Sequence, residues 1–213
     1  MTIVTTPAAA RTDLTIPAAG REAANDAFVR RAGITLAAGA LTWAASLVAV
    51  GAQPDTSLGV TISDLAAVPF QIGLFALVTA QLRTGATGLS RVARGMLKVE
   101  YVLLALATLW SVLHGAVPAF RDDTWLAVLD LFWPLSMLGM FVIAIKLVIA
   151  GRWRGVARGW PLVAESWAVV SVPAYGVLGP SVGDFVAAGH LLVGYLMLGV
   201  ILALRPQLTR AEA

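Results

Sequence analysis

Six long apolar stretches, separated by short loops, fill the chain from about residue 31 to residue 205. They leave no room for a soluble domain and place the chain's business inside a bilayer or at its two faces. A bilayer core of about 30 Å needs roughly 20 helical residues. The stretches about 31–51, 64–83, 97–118, 125–149, 160–179 and 184–204 all qualify. Each run is continuous rather than alternating, which argues for helices and against a barrel. Hydrophobic residues make up 59% of the 213 residues, more than a soluble domain of this size can hide. The expected fold is an all-α polytopic membrane protein, a six-transmembrane-helix bundle.

Charge gives the orientation. With the N-terminus in the cytoplasm, 14 of the 15 Lys and Arg residues fall on or near the cytoplasmic side. Arg121 alone falls outside. This positive-inside bias predicts both termini inside the cell membrane, and it accounts for the basic balance without nucleic acid. Residues 1–29, rich in Ala, Thr and Pro, read as a disordered cytoplasmic tail. They do not resemble a secretory signal, because no apolar run follows a basic start. Residues 30–205 form one transmembrane domain, and 206–213 a short cytoplasmic tail.

An internal repeat runs through the spans. Asp64-Leu65, Pro69 and Ile72-Gly73-Leu74-Phe75 correspond to Asp130-Leu131, Pro134 and Leu138-Gly139-Met140-Phe141. A basic loop with Val-Ala-Arg-Gly follows each copy, at 92–95 and 156–159, and then a glutamate, Glu100 or Glu165. A fainter third copy begins at Asp184 and reaches Val193-Gly194-Tyr195-Leu196. The chain thus reads as three in–out–in helical hairpins of about 64 residues in one orientation. Asp64 and Asp184 suit helix N-caps. Asp130 does not, because it lies more than a turn inside a span starting near Thr124.

Charged groups at the bilayer centre cost roughly 3 kcal/mol on insertion scales and so face the bundle interior. The candidates are Glu100, His114, Asp130, Glu165 and His190. Glu100 and Glu165 belong near the cytoplasmic face, within reach of Arg94, Lys98 or Arg158, and the other three near the outer face. At 100° per residue, Glu100, Ala107, Ser111 and His114 make one stripe. Similar stripes run through Thr35, Gly39, Thr42 and Ser46; through Glu165, Ala168, Val172 and Gly176; and through Ala187, His190, Gly194 and Met197. Stripes of small and polar residues face other helices. Pro161 suits a first helical turn, while Pro69, Pro134 and Pro173 fall within spans and bend them.

Several functions fit these residues. One is binding of, or acid–base chemistry on, a lipophilic small molecule, of the isomerisation or cyclisation type. Asp130, Glu100 and Glu165 then transfer protons, and Trp110, Trp133, Trp167, Tyr195, His114 and His190 line the ligand. No DDxxD metal motif, no P-loop and no cysteine is present, so the reading requires no metal and no particular cofactor. A second is an accessory or scaffold subunit of a larger membrane complex. A third is a small transporter working as a homo-oligomer. A fourth is a b-type cytochrome with His114 and His190 as axial haem ligands, since these are the only two histidines and both lie on interior stripes.

Overall fold

The computed structural model describes residues 18–210. The regular structure among those residues is all helical, with no strand. The helices are α1 (Ala18–Val50), α2 (Ser57–Thr84), α3 (Arg91–Ala116), α4 (Thr124–Asp130), α5 (Phe132–Ala150), α6 (Gly155–Glu165), α7 (Trp167–Leu178), α8 (Pro180–Leu191) and α9 (Met197–Leu204). They group into six stretches long and apolar enough to cross a membrane: Glu22–Val50, Ser57–Thr84, Arg91–Ala116, Thr124–Ala150, Gly155–Leu178 and Pro180–Leu204. The chain is a helical membrane protein.

Local signals set the helix ends. The Thr56 side chain accepts the Gly59 N–H at 3.1 Å, and the Ser90 side chain accepts the Ala93 N–H at 3.1 Å, so these residues cap α2 and α3. Gly85 and Gly151 close α2 and α5 in the left-handed conformation. Several expected boundaries shift. Helix α1 starts at Ala18, inside the segment read as a disordered tail; residues 1–17 of that segment lie outside the described residues. Asp64 and Asp184 are not caps, because α2 starts at Ser57 and α8 at Pro180.

The last three spans are not regular α-helix. The fourth breaks at Leu131, directly after Asp130, and Pro134 occupies the first turn of α5. Pro134 lacks the N–H that would bond the Asp130 carbonyl, so the interruption is encoded in the sequence. Pro161, expected in a first turn, instead lies inside α6. The fifth span breaks at Ser166, directly after Glu165. The sixth contains a π-helical turn, Leu192–Leu196, between α8 and α9.

The spans pack in a closed ring that follows chain order. Helix α1 lies against α2 on one side and α8 and α9 on the other; α2 packs on α3, α3 on α5, α5 on α6 and α7 on α8. Glycines permit the closest approaches. A Cβ added at Gly73 would lie 2.7 Å from the Leu36 Cα, and one at Gly33 would lie 2.5 Å from the Gly199 carbonyl oxygen. Spans one and two, and one and six, therefore meet backbone to backbone. At the face bearing both described chain ends, Arg210 pairs with Asp26 at 2.6 Å and Glu22 at 3.3 Å. Trp153, in the short connection between α5 and α6, is fully buried there and donates to the Thr84 hydroxyl at 2.9 Å.

Candidate functional site: two polar layers around an aromatic centre

Trp43 occupies the middle of the ring. Its ring lies 5.0 Å from Phe70, 5.2 Å from Trp133 and 5.2 Å from Trp167, centroid to centroid. Phe70 in turn meets Tyr195 edge-on at 4.8 Å. Five of the six spans contribute to this cluster, which divides the polar groups into two sets.

The first set lies toward the face opposite the chain ends. His114 Nδ1 and Asp64 Oδ2 are 2.6 Å apart, and Trp110 stacks on the imidazole at 4.7 Å. Arg121 does not pair with these acids. It donates to the carbonyls of His114 and Gly115 and to the hydroxyls of Ser57 and Thr61. The exposed Asp130 side chain makes no hydrogen bond among the described residues and borders a cavity of about 210 Å³. Asp64, Trp43, Trp110, Trp133 and Trp167 form other walls of that cavity. Next to it, a vestibule of about 520 Å³ shares Ala52, Asp64 and Trp110 and opens between the first loop and His114. Asp184 belongs to neither space. Its Oδ1 accepts the Ala52 N–H at 2.9 Å and the Tyr175 hydroxyl at 2.8 Å, which ties the first loop to the fifth and sixth spans.

The second set lies on the other side of the aromatic cluster. Glu100 and Glu165 are each 1% exposed. Neither meets the Arg or Lys residues expected as partners. Lys98 precedes Glu100 by only two residues, a spacing that points the two side chains to different sides of α3, and Arg158 donates instead to the Val148 carbonyl at 3.0 Å. Ser136 donates to Glu100 Oε1 at 2.5 Å, and Tyr195 donates to Glu165 Oε2 at 2.5 Å. The second oxygen of each, Glu100 Oε2 and Glu165 Oε1, is buried with no hydrogen-bond partner among the described residues. In a native interior such an orphan calls for an explanation.

Each glutamate lies at the bottom of a lateral apolar groove. One groove, of about 580 Å³, runs between α3 and α5 and has Val99, Leu103, Leu135 and Leu138 on its walls. Gly139 makes room for Glu100 in it, since a Cβ at that position would collide with Oε2. The other groove, of about 570 Å³, runs between α5 and α7 and ends on Glu165. Its walls are Met137, Leu138, Phe141, Val172 and the two tryptophans Trp133 and Trp167. Both indole N–H groups are already used, by the Ser111 hydroxyl at 3.0 Å and the Ala187 carbonyl at 2.9 Å. Those two tryptophans therefore separate this groove from the cavity beside Asp130.

The expected stripes survive in part: on the unbroken α1, Gly39 and Ser46 are buried but Thr42 is exposed. Glu100, Ala107 and Ser111 on α3 are all buried. The stripe through Glu165 fails, because the break at Ser166 changes the phase and leaves Val172 63% exposed. His114 and His190 are not brought together. Their spans are not neighbours in the ring, and each imidazole already has a side-chain partner, Asp64 for His114 and Ser166 at 3.1 Å for His190. Four contributors escaped the sequence reading: Trp43 as the hub, Asp64 as a histidine partner, Gln71, which donates to Ser111 at 2.9 Å, and Ser136. A polar residue in an apolar run is the available signal for Gln71 and Ser136. Comparison of the chain with protein-family models, curated proteins and solved structures returns no match.

Proposed function

We propose that the protein binds a lipophilic small molecule drawn sideways from the bilayer, and that Glu165 and Glu100 exchange hydrogen bonds or protons with its polar head. The protein sits in the cell membrane with both chain ends on the cytoplasmic side, in keeping with the distribution of Lys and Arg. One observation carries the reading: both grooves flanking the fourth span end on a fully buried carboxyl group with one oxygen left without a partner. A bilayer supplies no water to satisfy such an oxygen, whereas a ligand hydroxyl does so while its hydrocarbon fills the groove. A carboxyl group buried against a ligand is suited to general acid–base work, which fits an isomerisation or cyclisation. The α5–α7 groove is the stronger of the two, because two tryptophan faces give it flat walls.

A diazirine-bearing long-chain alcohol, photolysed with the protein in nanodiscs, tests this. Labels are expected in peptides 133–141 and 167–173, displaced by excess unmodified alcohol and reduced by Glu165→Leu. Labels spread evenly over the lipid-facing helices, and not displaced by competitor, would remove the basis for the proposal.

A further inference from the structure

The cavity beside Asp130 has a different chemistry from the grooves. Its walls combine four indoles, Trp43, Trp110, Trp133 and Trp167, with two carboxylic side chains, Asp64 and Asp130. Three of the indoles are fixed: Trp43 within the aromatic cluster, and Trp133 and Trp167 by their N–H bonds to Ser111 and Ala187. Trp110 is held by stacking on His114. With their N–H groups used inside the protein, Trp133 and Trp167 have only ring surface left to offer a guest.

Among the described residues, no protein cation fills this space. Arg121, the basic residue placed by the bundle at this end, spends its guanidinium on carbonyls and hydroxyls. The Asp64–His114 pair leaves Asp64 Oδ1 free of hydrogen bonds, and Asp130 makes none among the described residues. The vestibule that leads in carries Asp55 and Asp64 and no Lys or Arg. Aromatic faces attract cations through their quadrupole, most strongly when the site is desolvated. A hard metal ion fits poorly, because it gives up its hydration shell and finds few oxygens among the indoles. A weakly hydrated organic cation gives up little and gains both the indole faces and the acids.

We infer that this cavity is a binding site for a small organic cation of the quaternary or protonated tertiary ammonium class, reached from the face opposite the chain ends. Its volume of about 210 Å³ suits a head group of that size. The cavity shares Trp133 and Trp167 with the α5–α7 groove, but its two acids and its other two indoles belong to the cavity and not to the groove, so the two readings can fail separately.

The test is titration of the full-length protein in nanodiscs with choline chloride, followed by calorimetry and by tryptophan fluorescence. The controls are 3,3-dimethylbutanol, the neutral carbon isostere of choline, and potassium chloride. Saturable binding of choline is expected, about tenfold or more weaker for the isostere, with no response to potassium chloride beyond ionic strength. Asp130→Asn is expected to weaken choline binding while leaving alcohol photolabelling of the α5–α7 groove intact. Because the exposed Asp130 side chain makes no hydrogen bond among the described residues, that variant keeps its fold, which an unchanged elution profile confirms. Trp110→Leu should weaken binding in the same way. Equal affinity for choline and its isostere, no saturable response to choline, or full affinity in both variants would each overturn the inference.

Discussion

Tyr195→Phe isolates one hydrogen bond without changing shape. Tyr195 is fully buried, as is Glu165, and the phenol donates to Glu165 Oε2 at 2.5 Å. Removing the hydroxyl leaves Glu165 with no partner on either oxygen, since Oε1 has none to begin with. Interhelical hydrogen bonds in bilayers reach at most about 1.7 kcal/mol, and leaving a buried acceptor without its partner costs about 1–3 kcal/mol. The two ranges overlap at about 1.5 kcal/mol, which lowers the melting temperature of a chain this long by about 3–6 °C. The assay is thermal unfolding in one detergent, read by aggregation-sensitive tryptophan emission. Tyr195→Phe combined with Glu165→Leu should recover much of the loss, because removing both partners of a buried pair is far cheaper than removing one. A shift below about 1 °C for the single variant, or a double variant less stable than the single, would refute the claim that these two groups depend on each other.

Gly139→Ala should displace Glu100 from Ser136 and destabilise by about 1–3 kcal/mol, the usual cost of overpacking; unfolding of Gly139→Ala beside Gly159→Ala, where an added Cβ meets nothing within 4 Å, checks it. Trp153→Ala should cost about 3–5 kcal/mol, and Trp125→Ala, at a site 48% exposed, far less, as paired melting curves would read. Gly33→Leu should force spans one and six apart, and a cysteine pair placed across that contact should lose its crosslinking yield. Arg210→Ala should leave the melting temperature unchanged, since exposed ion pairs contribute little, yet speed limited proteolysis near Asp26.

The six spans were legible because apolar length is a one-dimensional property. The α3 stripe was legible because α3 is unbroken, so 100° per residue carries Glu100, Ala107 and Ser111 to one side. The same arithmetic failed after Ser166, where the backbone leaves the α-helical path and the phase is reset. Asp64 looked like a cap because it follows Ser63, yet Thr56 was already available upstream, and the freed carboxylic side chain reaches His114, fifty residues away. Glu100 and Glu165 were identified, but their partners were not. Ser136 and Tyr195 lie 36 and 30 residues on, and periodicity within one helix is silent about which neighbour it will meet.

The irregular backbone and the buried acids share an address, and bilayer physics makes that informative. Every unpaired backbone group in hydrocarbon is costly, so a helix that leaves its regular path needs its own compensation. The π-turn receives it from Trp160, whose N–H donates to the Val193 and Gly194 carbonyls at 3.1 and 3.2 Å. The break at Ser166 receives it from the Ser166 hydroxyl, which donates to the Val163 carbonyl at 2.8 Å. Such turns recur at functional sites because they re-aim side chains that a straight helix cannot. Here the π-turn carries Tyr195, the break at Ser166 comes directly after Glu165, and the break at Leu131 directly after Asp130. Three interruptions, each compensated or sequence-encoded and each beside an acid or its partner, are what the proposed reading requires of a bundle that presents carboxylic side chains to a guest.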